Sequence, residues 1–192
     1  MVHMDQKWLK HLDLLYDLVL RFLERPMHGR ELAQLLRAPH TSVRRALRFL
    51  ESENVVCYEA QGRNNLYSLK GGLAARTYVL MAENHKRVAL LKAYPHLEHL
   101  IESILAACDS RLILLFGSHA SCSAGKGSDI DVFIETEDTA VKKRVEKLNT
   151  KLHVTIGLFR KNSGFGRELL KNHVVLRGSE ELHERLKVPE GA

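Results

Sequence analysis

Apolar positions recur at helical spacing from the start of the chain. Leu9, Leu12, Leu15, Tyr16, Val19, Phe22 and Leu23 share one face, and Pro26 closes that helix. After a break at Gly29, Leu32, Leu35 and Leu36 mark a short second helix. Ala38-Pro39-His40 reads as a turn, with Thr41 or Ser42 as N-cap of a third helix that ends about Ser52 and buries Val43, Leu47 and Leu50. Two strand-like stretches follow, Val55 to Glu59 and Leu66 to Leu69. The polar turn Gln61-Gly62-Arg63-Asn64-Asn65 between them predicts a hairpin. Gly71-Gly72 then punctuates the chain.

Beyond that break, Thr77, Leu80, Met81, Val88 and Leu91 predict a helix that stops near Tyr94-Pro95, with a stripe suited to core or dimer packing. Leu97, Leu100, Ile101, Ile104, Leu105 and Cys108 predict another. At Arg111 the pattern changes. Leu112 to Phe116 is a continuous apolar run of the kind found in a strand buried on both faces. Ile130 to Ile134 and Leu152 to Phe159 are two more strands, separated by a charged helix over Val141 to Leu148. Phe165 to Lys171 and Glu180 to Leu186 read as helices, with Val174-Val175-Leu176 between them.

Composition narrows the class. With 192 residues, 45% hydrophobic and 27% charged, the chain has room for one large or two small globular domains. No apolar run is long enough to span a bilayer and no basic-then-apolar leader opens the chain, so no membrane partner and a cytoplasmic location are expected. Cys57, Cys108 and Cys122 have neither zinc-site spacing nor disulfide density. His96 and His99 share a helix face, but no further ligand stands beside them, so they read as solvated.

Charge has a placement. The net charge is +6 and the isoelectric point near 9.3, which favours a polyanionic partner. On the third helix Thr41, Arg44, Arg45 and Arg48 fall at i, i+3, i+4 and i+7, opposite the buried stripe. Three helices and a hairpin in this order resemble a winged helix-turn-helix domain. The resemblance implies that these residues face a DNA major groove and that Arg63, at the hairpin tip, reaches an adjacent phosphate or minor groove. A solvated face partly paired with Glu51 and Glu53, or a protein-interaction module, is the competing reading. A homodimer is the default for a reader of palindromic double-stranded DNA.

The second constellation is Gly117-Ser118 at the end of the first apolar strand, with Ser128-Asp129-Ile130-Asp131 opening the next. Residues two apart on a strand point the same way, so Asp129 and Asp131 present their carboxylates together. Paired anions call for a cation, and Mg²⁺ suits hard oxygen ligands shared with phosphate. Gly117 allows close backbone approach by a phosphate, and Ser118 offers it a hydroxyl and an amide at a helix start. Gly-Ser, an intervening loop and Ser-Asp-x-Asp before an apolar strand resemble the minimal nucleotidyltransferase family of the polymerase-beta-like superfamily. The resemblance covers Leu112 to Leu158 and extends loosely over His173-Val174-Val175-Leu176-Arg177-Gly178.

That resemblance implies an α+β protein: an N-terminal winged helix-turn-helix (residues 1–71), a linking helix (72–94) and a small mixed-sheet nucleotidyltransferase-fold α/β domain (95–192). It implies transfer of a nucleoside monophosphate from a Mg²⁺-bound nucleoside triphosphate to a hydroxyl. Asp129 and Asp131 would be the catalytic and metal-binding residues, with Gly117, Ser118, Ser128 and Lys126 at the nucleotide. Two departures bear on activity. Ser121-Cys122 replaces the family's arginine and glycine, with Lys126 in the loop Ala124-Gly125-Lys126-Gly127 as a substitute phosphate charge. The family's third carboxylate falls on the strand Lys151-Leu152-His153-Val154-Thr155-Ile156, which has no acid and holds His153 at the matching position. Histidine accepts a proton but suits Mn²⁺ better than Mg²⁺. Glu135, on the order of 13 Å along the strand from Asp131, is too far to replace it. The rival reading is a DNA-binding transcriptional regulator, or an antitoxin with a toxin-like protein partner, whose nucleotidyltransferase domain is weak or inactive.

Overall fold

A computed structural model of the chain describes residues 6–186, with side chains from residue 13 onward; the side chains of Leu9 and Leu12 lie outside the described residues. The chain forms two compact units, one built on the residues up to His85 and the other on Lys86–Leu186.

The first unit opens with helix α1 (Gln6–Phe22), followed by strand β1 (Met27–His28), helices α2 (Gly29–Leu35) and α3 (His40–Ser52), and strands β2 (Val56–Gln61) and β3 (Asn64–Leu69). Its core joins Leu15, Leu18, Val19 and Phe22 of α1 to Leu32, Val43, Leu47 and Leu50 of the next two helices. Strands β2 and β3 form an antiparallel hairpin with Gln61 opposite Asn64, so its turn is the two residues Gly62-Arg63. The strands thus reach further than their apolar residues alone indicate. Strand β1 pairs antiparallel with β3, giving the sheet order β1-β3-β2. Two residues carry no period, which is why this strand is invisible in the sequence pattern.

The start of α3 corrects one expectation. Neither Thr41 nor Ser42 is the N-cap. Pro39 occupies that position with φ −57° and ψ 132°, and no side chain caps the helix. The Pro39 carbonyl takes the amides of Ser42 and Val43 at 2.9 and 3.1 Å. The rigid proline turns the chain into the helix early, and Thr41 therefore lies exposed in the first turn.

Helix α4 (Leu73–Ala93) runs from the first unit into the second. Its buried apolar positions are Ala75, Val79 and Ala82 in the first core and Leu90 in the second, whereas Met81 and Val88 are 43% and 48% exposed. The expected stripe through Met81 and Val88 is therefore not the packed face. Small side chains let the helix seat closely, and a period counted on large residues misses them.

In the second unit a 3₁₀ turn (Pro95–Leu97) leads into α5 (Glu98–Ala107). Then come β4 (Ile113–Phe116), the single turn α6 (Gly117–Ala120), β5 (Ile130–Glu135), α7 (Thr139–Glu146), β6 (Leu152–Gly157), α8 (Gly164–Lys171), β7 (His173–Arg177) and α9 (Ser179–Leu186). The sheet order is β6-β5-β4-β7, with β5 and β6 parallel and β4 antiparallel to both neighbours. The apolar run of β4 is explained by its place between two strands under two cores. Ile113 and Leu115 join Ile130, Val132, Val154, Ile101 and Ile104 on one face. Leu112 and Leu114 join Phe133, Leu169, Val175 and Leu182 on the other.

Arginine closes the end of α5. Arg177 donates to the carbonyls of Cys108 at 2.6 Å and Leu105 at 2.7 Å, and Arg144 donates to that of Ala107 at 2.7 Å. Carbonyls at a helix C-terminus lack amide partners, and a guanidinium satisfies them while matching the negative end of the dipole. Among the described residues no helix is long and apolar enough to cross a membrane.

Candidate functional site

The site grows from the end of β4. Phe116 pairs with Asp131 across the antiparallel β4–β5 ladder, and the chain then turns sharply at Gly117, φ 71°. The Asp131 carboxylate lies over this turn, and a Cβ at position 117 would collide with its Oδ2. Glycine is thus demanded twice, by the left-handed backbone and by the close approach. Ser118 follows, half-buried, and among the described residues its hydroxyl makes no hydrogen bond. Its carbonyl takes the amide of Ser123 at 2.9 Å, which folds the loop back on the turn.

Asp129 is exposed just before β5, and Asp131 is on the strand with its side chain 27% exposed. Their neighbours Ile130 and Val132 face the α5 core, so strand alternation directs the odd-numbered residues to the opposite face. The parallel register sets His153 of β6 beside Asp131, with Nδ1 3.5 Å from Oδ1 and the imidazole 64% exposed. Glu135 is occupied elsewhere. It receives the Phe159 amide at 2.9 Å and the Arg185 guanidinium at 2.5 Å, which ties β5 to the exit of β6 and to α9.

Ser128 and Lys126 sit differently. Both line a pocket of about 610 Å³ whose walls include Tyr94, His119 and Lys151 but none of Gly117, Ser118, Asp129 or Asp131. Ser128 Oγ accepts the Gly125 amide at 2.9 Å and closes the loop. Nothing in the sequence pattern marks His119. It is 4% exposed, and its Nδ1 donates to the Asp129 carbonyl at 3.0 Å. A lone histidine after Gly-Ser has no periodic partner, so only the folded loop reveals it.

The donor chemistry fits a hard divalent cation: two carboxylates and a hydroxyl, without a thiolate among these residues. Among the described residues no three His, Cys, Asp or Glu side chains gather as a complete metal cluster. A cation held by Asp129 and Asp131 would therefore complete its shell with phosphate oxygens and water, which is how magnesium is ordinarily bound.

In the first unit, Thr41, Arg44, Arg45 and Arg48 are all exposed on one side of α3, and Arg63 is exposed at the hairpin turn. Among the described residues none of these four arginines makes an ion pair; Glu53 instead takes the Tyr78 hydroxyl at 3.4 Å. Arg44 and Arg63 both line a groove of about 490 Å³ between α2, α3 and the hairpin, joined there by Arg30, His28 and His40.

No curated protein and no solved structure matches the chain. Residues 100–179, which hold β4, the Gly117-Ser118 turn, Asp129, Asp131 and His153, match the family model of the nucleotidyltransferase domain.

Proposed function

We propose that this protein transfers a nucleoside monophosphate from a nucleoside triphosphate to a hydroxyl acceptor, and that its first unit is a winged helix-turn-helix that binds double-stranded DNA. The observation that carries the first half is the seating of the Asp131 carboxylate over Gly117, the residue before Ser118, inside the segment that matches a nucleotidyltransferase domain. On this reading Asp129 and Asp131 would hold Mg²⁺, which would supply charge neutralisation at the phosphates. Gly117 and Ser118 bind the terminal phosphates, and Lys126 and Ser128 contribute from the loop between Ser118 and Asp129. The acceptor oxygen forms a bond to the α-phosphorus, the α–β anhydride breaks, and pyrophosphate leaves. His153, with Nδ1 3.5 Å from Asp131 Oδ1, is the group that would receive the hydroxyl proton.

The element order of the first unit, its three-stranded β1-β3-β2 sheet and the arginine face of α3 support the DNA reading. Residues 1–71 would form the DNA-binding domain, residues 72–94 the linking helix and residues 95–192 the transferase domain, with a homodimer matching a palindromic operator. One observation favours a second reading. A histidine rather than an acid stands opposite Asp131, which suits a regulator or antitoxin that binds nucleotide and transfers slowly. Incubation with α-labelled nucleoside triphosphate and cell extract separates the two. Label on an acceptor, lost in Asp129→Asn, is the result expected of the enzyme, and no label with either Mg²⁺ or Mn²⁺ overturns it.

A further inference from the structure

The pocket on the far side of the 124–128 loop has the chemistry of a ligand site. It encloses about 610 Å³, within the roughly 300–1,000 Å³ of small-molecule sites. Tyr94 and His96 give it an aromatic wall, with His119 packed edge-on against Tyr94 at 5.0 Å. Lys151 stands at its rim, its ammonium anchored on the Lys126 carbonyl at 2.7 Å with two donors to spare. Asn149 and Thr150 add exposed polar groups, and among the described residues no Asp or Glu side chain lines the pocket.

His119 supplies the buried polar group. A carbonyl only accepts, so Nδ1 donates to Asp129; among the described residues Nε2 makes no hydrogen bond, and His119 lines the pocket. Nε2 is left for a hydrogen bond with a ligand hydroxyl. Cation, aromatic wall and hydroxyl partner together match phosphate, base and sugar. The geometry points to a second nucleotide site here, for a nucleoside monophosphate bound without metal. Its ligand touches His119, whose Nδ1 donates to the Asp129 carbonyl. The inference does not depend on the transfer reaction.

Calorimetry on the full chain in EDTA tests it, with adenosine, guanosine, cytidine and uridine monophosphates and with inorganic phosphate as probes. At least one nucleotide should bind one-to-one and more tightly than phosphate. Lys151→Gln should weaken that binding by about tenfold or more, the loss of one charge-assisted hydrogen bond. Thr150→Trp, at an exposed rim position, should block it without touching the core. Asp131→Asn should leave it intact while removing metal-dependent triphosphate binding. Absence of binding by all four nucleotides overturns the inference. So does binding that ignores both rim substitutions, binding lost in Asp131→Asn, or phosphate binding as tightly as any nucleotide.

Discussion

The Asp131 carboxylate rests directly over the α-carbon of Gly117, leaving no room for a side chain between the strand and the turn. The acid is thereby held against the residue that precedes Ser118, and its position depends on an absent Cβ. Gly117→Ala should push the carboxylate away and strain a positive-φ backbone, at a cost of about 1–3 kcal/mol. Thermal unfolding should report that loss, and metal-dependent triphosphate affinity should fall by about tenfold or more. Unchanged affinity in a folded Gly117→Ala protein would show that this close approach does not position the acid.

Neutralising the pair tests the cation. Asp129→Asn with Asp131→Asn removes two like charges at the opening of a strand, so the fold should remain intact by circular dichroism. Mg²⁺-dependent nucleotide binding should disappear in calorimetry. Retention of wild-type affinity would remove both residues from the assignment.

His153 and Asp131 are register partners, with their side chains 3.5 Å apart. Imidazole is a poorer magnesium ligand than carboxylate, so the wild-type protein should transfer faster with Mn²⁺ than with Mg²⁺. His153→Asp should raise the Mg²⁺-supported rate by about 10²-fold, the low end of what a positioned acid–base group contributes. Initial rates of label transfer decide the matter. Brisk Mg²⁺ turnover by the wild type with no gain in His153→Asp would mean that no acid is needed there.

The arginine face of α3 makes a separate prediction. Arg44→Ala with Arg45→Ala should weaken duplex binding, by about 1–3 kcal/mol for each arginine that reads a base edge. The salt dependence should also flatten wherever the removed guanidinium had met a phosphate. Titrations over a range of salt concentrations check this. A double variant that matches the wild type at every salt concentration would leave the face as mere solvated surface.

Arg177 should matter for stability rather than for transfer. Its guanidinium spans the carbonyls of Leu105 and Cys108, two acceptors that a single ammonium cannot bridge in the same fork. Arg177→Met should destabilise the 86–186 unit by about 2 kcal/mol, measured by urea unfolding, and Arg177→Lys should recover only part of it. A midpoint unmoved by Arg177→Met would show that water serves those carbonyls equally well.

Local pattern determined much of this protein on its own. The spacing of Val43, Leu47 and Leu50, the unbroken run from Leu112 to Phe116 and the polar turn over Gln61 to Asn65 each report burial or backbone freedom within a few residues, which local pattern records directly. The Gly117-Ser118 and Asp129-x-Asp131 elements were legible for the same reason, since each is a short-range requirement. Other features were decided only by tertiary packing. Strand β7 lies beside β4 rather than between two loose helices because its Val174 and Val175 complete opposite cores, a relation between distant parts of the chain. The seat of α4 is made by Ala75, Val79 and Ala82, where closeness of approach outweighs side-chain size. The neighbours of Asp131, namely His153 through a parallel register and Gly117 through a missing Cβ, depend on how three strands align. So does the bond from His119 to the Asp129 carbonyl. Alignment is set by the combined packing of both faces of the sheet, and a one-residue slip would move every one of these side chains to the other face.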